Sequence, residues 1–405
     1  MRNSHYLALA ILYYGVFAFG QQPAPSAPQS KAPASQLKHS TAPTAGEKSA
    51  ADTGEEEIPV KTIEMRGGKP LTGLLDTGIT GPPSCTSEGT AYLEIFGDLP
   101  PTTQVFAGDL YSVSESGEVK KIERNLTAPQ RTDLSAFWMY PGTDAVATLY
   151  RLTPRDRGED GELLQPKYHI ALSRNDGSFL KDIKLDLKFQ PLKIAMLDSG
   201  RFLALGVEPL NDEPMLSLLD SDGTYLRTID LDPGPVAASN SLQTINAKLL
   251  SHAEPSHAAT VMASDAMFVP YGNKVLFFVP GSGLPVRILG EGGEENAVTL
   301  SLPKGELLQS VLPAGKNDTW VVRAQRLGNF ASMKNKGVLI NPSQKLFEVD
   351  PVTGKVMREL NIIGALPAHV LCATNRKLTA LLYFSGDDAK RLNTFSGWRL
   401  EVEDR

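Results

Sequence analysis

Three sets of residues in this 405-residue chain have the types and spacing to do chemistry. The first is Asp220-Ser221-Asp222-Gly223, which resembles the start of a calcium loop. Such a loop needs a third acidic or Asn ligand before its glycine and a Glu at the twelfth place, where Leu231 stands. The turn is therefore read as structural. The second is Ser251-His252-Ala253-Glu254-Pro255-Ser256-His257. Two imidazoles and a carboxylate begin a metal site in principle, but small and polar neighbours give the plainer reading, a loop. The third is a pair, Cys85 and Cys372, the only cysteines. An exported chain favours oxidation, and a bridge between them would close a very long loop. Two buried, reduced thiols are the other reading. The motifs H-E-x-x-H, G-x-S-x-G and a phosphate-binding glycine loop are not found. His39, His169 and His369 are scattered, and Trp138, Trp320 and Trp398 fall on strands as core residues.

The elements that would position these groups recur. LYSVSESGEVKKI, HIALSRNDGSFLKDIKL, LLDSDGTYLRTIDL, VRILGEGGEENAVTLSL and KLFEVDPVTGKVMREL are each a strand, a Gly-bearing turn and a second strand. Such turns suit hairpins, because tight connections between twisted strands need residues that tolerate positive φ. A second hairpin precedes each of these, from PSCTSEGTAYLEIF to HVLCATNRKLTALLYF, with Gly89, Gly142, Gly200, Gly272, Gly315 and Asn375 in the turns. Two hairpins per unit and six units predict an all-β, six-bladed β-propeller of four-stranded blades, with seven blades as the alternative count. The sixth unit has three strands, so an N-terminal strand, read as Ile58–Met65, is expected to complete it and close the ring.

The pattern resembles the six-bladed propeller superfamily that includes NHL-repeat and TolB-like proteins, over residues 58–405. The likeness lies in hairpin spacing and turn types. It implies a propeller fold. Relatives of this shape include lactonases and lyases with a metal in the central channel, but no residue here matches such a site by motif.

The rest of the chain sets compartment and partners. Arg2 followed by the apolar run Tyr6–Phe19, 14 residues, reads as a signal peptide over residues 1–20, cleaved before Gln21. As a helix the run would reach ~21 Å, short of the ~30 Å hydrocarbon core. Residues 21–57 are Pro/Ala-rich with one large aliphatic, Leu37, and read as a disordered spacer. No later segment is apolar for 18 residues, so no transmembrane segment is expected in the mature chain, which should be periplasmic or secreted. The net charge of −6 argues against nucleic acid as a partner.

Within each unit the short turns share one face of a propeller and the long loops the other. Insertions gathered on one face mark it as a binding face. Arg151, Arg155, Glu208, Asp212, Arg323, Arg326 and Asp387 are the candidate binding residues there. Carboxylates at the channel mouth would suit a divalent cation, or form a solvated rim. The expectation is a non-catalytic binding or scaffold propeller for a protein, peptide or glycan. A metal-dependent propeller enzyme, lactonase- or lyase-like, is the alternative.

Overall fold

The computed structural model describes residues 58–404 apart from 66–68, 75–78, 81–83, 87, 97–103, 159–160, 162–163, 209–213, 230–262, 314–318, 327–343, 365–368, 375–376 and 386–395. Residues 1–57, expected to be signal peptide and spacer, lie outside that range, as do Asp212, His252, Glu254, His257 and Asp387.

The described chain forms six sheets in sequence order, the blades of a six-bladed β-propeller. Blade 1 pairs Ala91–Phe96 with Asp109–Val113 and then Val119–Ile122, and its inner edge is made in two pieces, Ile79–Thr80 and Ser84–Cys85. Blade 2 runs Thr132–Pro141, Ala145–Pro154, Lys167–Arg174, Phe179–Leu185, with Val105–Phe106 added in parallel at its inner edge. Blade 3 is Gln190–Met196, Phe202–Val207, Pro214–Leu219, Tyr225–Ile229, and blade 4 is Met267–Tyr271, Lys274–Phe278, Val286–Gly290, Gly293–Val298. Blade 5 is Glu306–Pro313, Trp320–Arg326, Gln344–Val349, Val356–Gly364, and blade 6 is His369–Ala373, Lys377–Ser385, Ser396–Asp404.

An N-terminal strand does complete the ring, but it is not the one expected. Lys69–Leu71 pairs antiparallel with Ser396–Asp404 as the fourth strand of blade 6. Val60–Met65 lies one blade earlier, as a fifth, parallel strand on Val356–Gly364 of blade 5. Packing explains the difference. Ile63 joins a cluster formed by Val321, Leu346 and Leu360 of blade 5 with Ala373, Leu378 and Ala380 of blade 6. Ile63 is 3 % exposed and Val60 62 %, so Ile63 is the side chain by which the strand enters the core.

The sequence dictates this core directly. The near-continuous apolar middle strands are buried on both faces, as Phe202–Val207 is throughout and Lys274–Phe278 nearly so. Outer strands alternate or are largely exposed, as in Tyr225–Ile229. Burying each Leu, Val or Phe contributes roughly 1.5–3 kcal/mol. The turns between third and fourth strands hold themselves. Asp220 Oδ1 accepts the backbone N–H of Thr224 at 2.9 Å, and Asp222 Oδ1 accepts the Thr224 hydroxyl at 2.7 Å. Gly223 has φ +86°, a conformation that favours glycine. Both carboxylates of the calcium-like motif are thus engaged by their own turn. Asp350 does the same for Val352 and Thr353, at 2.8 Å each.

Apolar packing between blades is uneven. One continuous cluster links blades 2, 3 and 4. Between blades 1 and 2 it splits into two small clusters, one of which is Tyr92, Leu110, Ile122, Met139 and Val146. The inner strand of blade 4 reaches across to those of blades 1 and 2, which keeps the centre narrow. The residues of that strand that are only partly buried are Met267, Val269 and Tyr271.

Candidate functional site

Where packing between blades 1 and 2 thins, a cleft opens on the face that carries the short turns, with a cavity of about 190 Å³. Blade 1 supplies one wall. Tyr92 pairs with Ser112 and Ser112 with Lys120. Residues directly opposite in antiparallel strands point to the same face, so the three side chains form a row facing blade 2. One rung nearer the turns come Thr90, Ser114 and Glu118. The opposite wall is made by the blade 2 turns, Pro141, Gly142 and Thr143 with Asn175, and Pro270 and Gly272 of blade 4 complete it.

A chain of hydrogen bonds fixes these walls. The Tyr92 hydroxyl donates to Asn175 Oδ1 at 3.0 Å. Asn175 Nδ2 donates to the Thr143 carbonyl at 2.7 Å, and the Thr143 hydroxyl donates to Asp198 Oδ1 of blade 3 at 2.7 Å. Burial first, and Glu88 second, push the Tyr92 hydroxyl up to about 12, so it keeps its proton and stays a donor. Ser112 differs. It is 5 % exposed and lines the cavity; among the described residues its hydroxyl makes no hydrogen bond, and it is not one of the side-chain atoms sealed from solvent, so it opens onto the cavity. A hydroxyl that opens onto a cavity is satisfied by water or by a ligand atom seated there. The charges stand at the rim. Lys120 pairs with Glu118 at 3.3 Å, with side chains 47 % and 62 % exposed, and Glu88 is exposed.

The blade 1 wall is tied to blade 6. Cys85 and Cys372 form a disulfide with a Cα–Cα distance of 5.4 Å. The Thr374 hydroxyl donates to Glu115 Oε1 at 3.2 Å, and Lys377 Nζ stands 3.5 Å from Glu115 Oε2. Gly89, φ +86°, lies in the turn beside them, where an added Cβ would sit 2.6 Å from Glu115 Oε1.

The residues expected to bind on the long-loop face have other engagements. Arg155 Nε donates to Asp133 Oδ1 at 2.9 Å, which ties the loop after the second strand of blade 2 to its inner strand. Arg151 is half-buried beside Tyr168. Burial holds the Arg323 pKa below its ordinary value. Arg326 Nη2 lies 3.5 Å from the Lys304 carbonyl, and Glu208 follows the second strand of blade 3. The cavity lies on the other face. Among the described residues no three His, Cys, Asp or Glu side chains converge as a metal site, and no helix is long and apolar enough to cross a membrane.

Two other sites stand apart from the cleft, a partly exposed cluster around Asp182 and a buried lysine. The Tyr150 hydroxyl donates to Asp182 Oδ1 at 2.7 Å while His169 Nδ1 lies 2.9 Å from Oδ2. Burial alone would raise the Asp182 pKa, but hydrogen bonds from His169 and Tyr150 outweigh it and hold the carboxyl below its usual range. Lys193, on the inner strand of blade 3, is 6 % exposed. Its Nζ donates to the Ala266 carbonyl and lies 4.5 Å from the centre of the Trp138 ring. Burial pulls its pKa down to about 7, against an opposing pull from Asp265. The sequence signal common to Ser112 and Lys193 is a single polar residue inside an apolar strand, as in LYSV and PLKIAM.

Neither a family model nor a curated relative matches the chain. Solved structures similar to it include regucalcin, a calcium-binding protein from Agrobacterium tumefaciens, at 12% identity over 86% of this chain and 97% of that one, TM-score 0.36. They also include the GH74 xyloglucanase from Xanthomonas campestris, at 13% identity over 78% of this chain and 43% of that one, TM-score 0.38. A protein of unknown function from Bacteroides caccae shares 12% identity over 71% of this chain and 83% of that one, TM-score 0.38. The chain is a six-bladed β-propeller on the evidence of its own sheets.

Proposed function

We propose that this propeller is an exported, non-catalytic binding module whose ligand site is the cleft between blades 1 and 2. The signal-like N-terminal sequence supports export. The observation that carries the reading is Ser112, whose hydroxyl opens onto the floor of a cavity of about 190 Å³ and makes no hydrogen bond to the described residues. A water needs only ~10–15 Å³ of such space, so the cleft has room for several waters or for one residue of a larger ligand. Among the described residues the lining contains no His or Cys, and its lysine, Lys120, is exposed and paired with Glu118, not desolvated as a lysine acting as a base would be. Its carboxylates, Glu88 and Glu118, are exposed, whereas a catalytic acid is kept protonated by burial.

The test is thermal unfolding of the folded chain with three panels: uncharged sugars, amino acids with short peptides, and small anions. A ligand that binds only the folded form stabilises it by about 2.7 kcal/mol at ~100 times its Kd. At least one panel is expected to raise the midpoint of the wild type and not that of Ser112→Leu, which fills the floor. A ligand that shifts both proteins equally, or none that shifts the wild type, would refute the reading.

A further inference from the structure

We infer that the cleft takes an uncharged sugar ring, the end residue of a glycan; this rests on the cleft being the ligand site. Charge is the first argument. The floor is made of hydroxyls, while Glu88, Glu118 and Lys120 stand exposed at the rim. Lys120, the neighbour of Ser112 across the strands, already pairs with Glu118 at 3.3 Å, so an anion seated on the floor would have to compete with that carboxylate for its counter-charge, whereas a neutral hydrogen-bonding group leaves the pair intact. The charge arrangement therefore favours a neutral group at the floor.

Hydrogen-bonding capacity is the second argument. The Ser112 hydroxyl is free to donate and to accept. The Tyr92 hydroxyl has given its proton to Asn175 and so can only accept. Thr86 Oγ1 accepts the Thr90 N–H at 3.3 Å, which leaves its proton to donate. Donors and acceptors that close together suit neighbouring hydroxyls on a ring, each of which can do both.

The third argument separates a sugar from a peptide. Bound peptides commonly pair their backbone with an open sheet edge. Here Ala91–Phe96 is paired on both sides, and so is Asp109–Val113. The strands that carry Tyr92 and Ser112 thus offer side chains and no free ladder, and the one open edge of the blade 1 wall is its outer strand, Val119–Ile122. Pro141 and Pro270 add apolar surface on which the C–H face of a ring can rest.

The experiment is calorimetric titration with D-glucose, D-galactose, D-mannose and N-acetyl-D-glucosamine, beside alanyl-alanine and inorganic phosphate, on wild type, Ser112→Ala, Ser112→Val and Tyr92→Phe. One of the sugars is expected to bind, with affinity unchanged by added salt because no charge pairs with it. Ser112→Ala and Tyr92→Phe should each weaken it about 5- to 10-fold, and Ser112→Val, which also fills space, should abolish it. Circular dichroism of the variants checks that they fold, and Ser112→Ala retains the cavity if Ser112→Val does not fold. Binding of the dipeptide or phosphate that Ser112→Val abolishes would overturn the sugar and leave the cleft standing. Sugar binding that all three variants retain would overturn the placement. No binding from any of these probes would overturn both the sugar and the cleft.

Discussion

At the scale of single residues, Lys193 is the group whose state the fold controls most. Moving its pKa from the ordinary 10.5 to about 7 corresponds to ~5 kcal/mol of penalty on the charged form. Between about 7 and ~10.4 the unfolded chain holds the proton that the folded chain releases, so stability rises with pH through that window. Below about 7 both states are charged and the penalty is fully present. The hydrogen bond to Ala266 and the Trp138 ring offset part of it, about 1–2 kcal/mol each. Lys193→Met keeps the volume and removes the amine. It is expected to stabilise the fold by about 1–3 kcal/mol at pH 7 and to flatten the climb of the unfolding midpoint from pH 7 to pH 10, followed by thermal scans across pH. A variant less stable than wild type at pH 7, with the same pH slope, would mean that the ammonium is a net support. The position was visible in the sequence as a polar break in PLKIAM, like Ser112 in LYSV. What such a break does was not visible. Trp138 comes from the inner strand of blade 2 and Ala266 directly precedes that of blade 4, and Asn175 meets Tyr92 from 83 residues away. The charged loop residues stand out in the sequence because they are numerous, yet Arg155 serves Asp133 and Arg323 is half-buried.

At the scale of elements, the hairpins were legible because everything that specifies them is local. A turn such as Asp220–Thr224 satisfies its own carboxylates within five residues and needs a glycine at φ +86°. Of the two N-terminal strands, Val60–Met65 was legible as a strand but not in its partner, and the three-residue Lys69–Leu71 was too short to show a pattern. Partner choice for Val60–Met65 depends on a cluster that includes Ala373 and Ala380 more than 300 residues away, which no local pattern encodes. That assignment has a sharp consequence. If Ile63 holds the strand, Ile63→Ala should cost about 2–4 kcal/mol, while Val60→Ala, at an exposed position, should stay within ~0.5 kcal/mol. Denaturant unfolding of the two variants compares them directly. Equal effects would place the strand's contribution in its backbone ladder with Val356–Gly364 instead of its side chain.

At the scale of the whole molecule, a propeller is a ring of blades that each need two neighbours, so the seam between the last and the first is its weakest logical point. Here the seam is closed twice. Lys69–Leu71 hydrogen-bonds to blade 6 and leads on into blade 1. On the inner strands Cys85 and Cys372 join the same two blades across 287 residues of sequence. The chain-entropy model assigns a loop of that length roughly 5–6 kcal/mol, with native-state constraints usually reducing the benefit. The disulfide and the Lys69–Leu71 pairing act on the same opening motion, so their effects overlap and neither alone should carry the full amount. Replacing both cysteines, Cys85→Ser with Cys372→Ala, is expected to lower stability by about 2–5 kcal/mol while the transition stays cooperative, because Lys69–Leu71 still closes the ring. Adding reductant to the wild type should reproduce the loss, and reductant should leave the double variant unmoved. The cleft shares the seam, since Thr86 follows Cys85 directly and the turn bearing Ser114 is held to Thr374 and Lys377 through Glu115. If the seam sets the geometry of that wall, the double variant should also lose ligand affinity at temperatures where it is fully folded. A variant that unfolds earlier yet binds as tightly as the wild type would show that blade 1 holds its wall without blade 6.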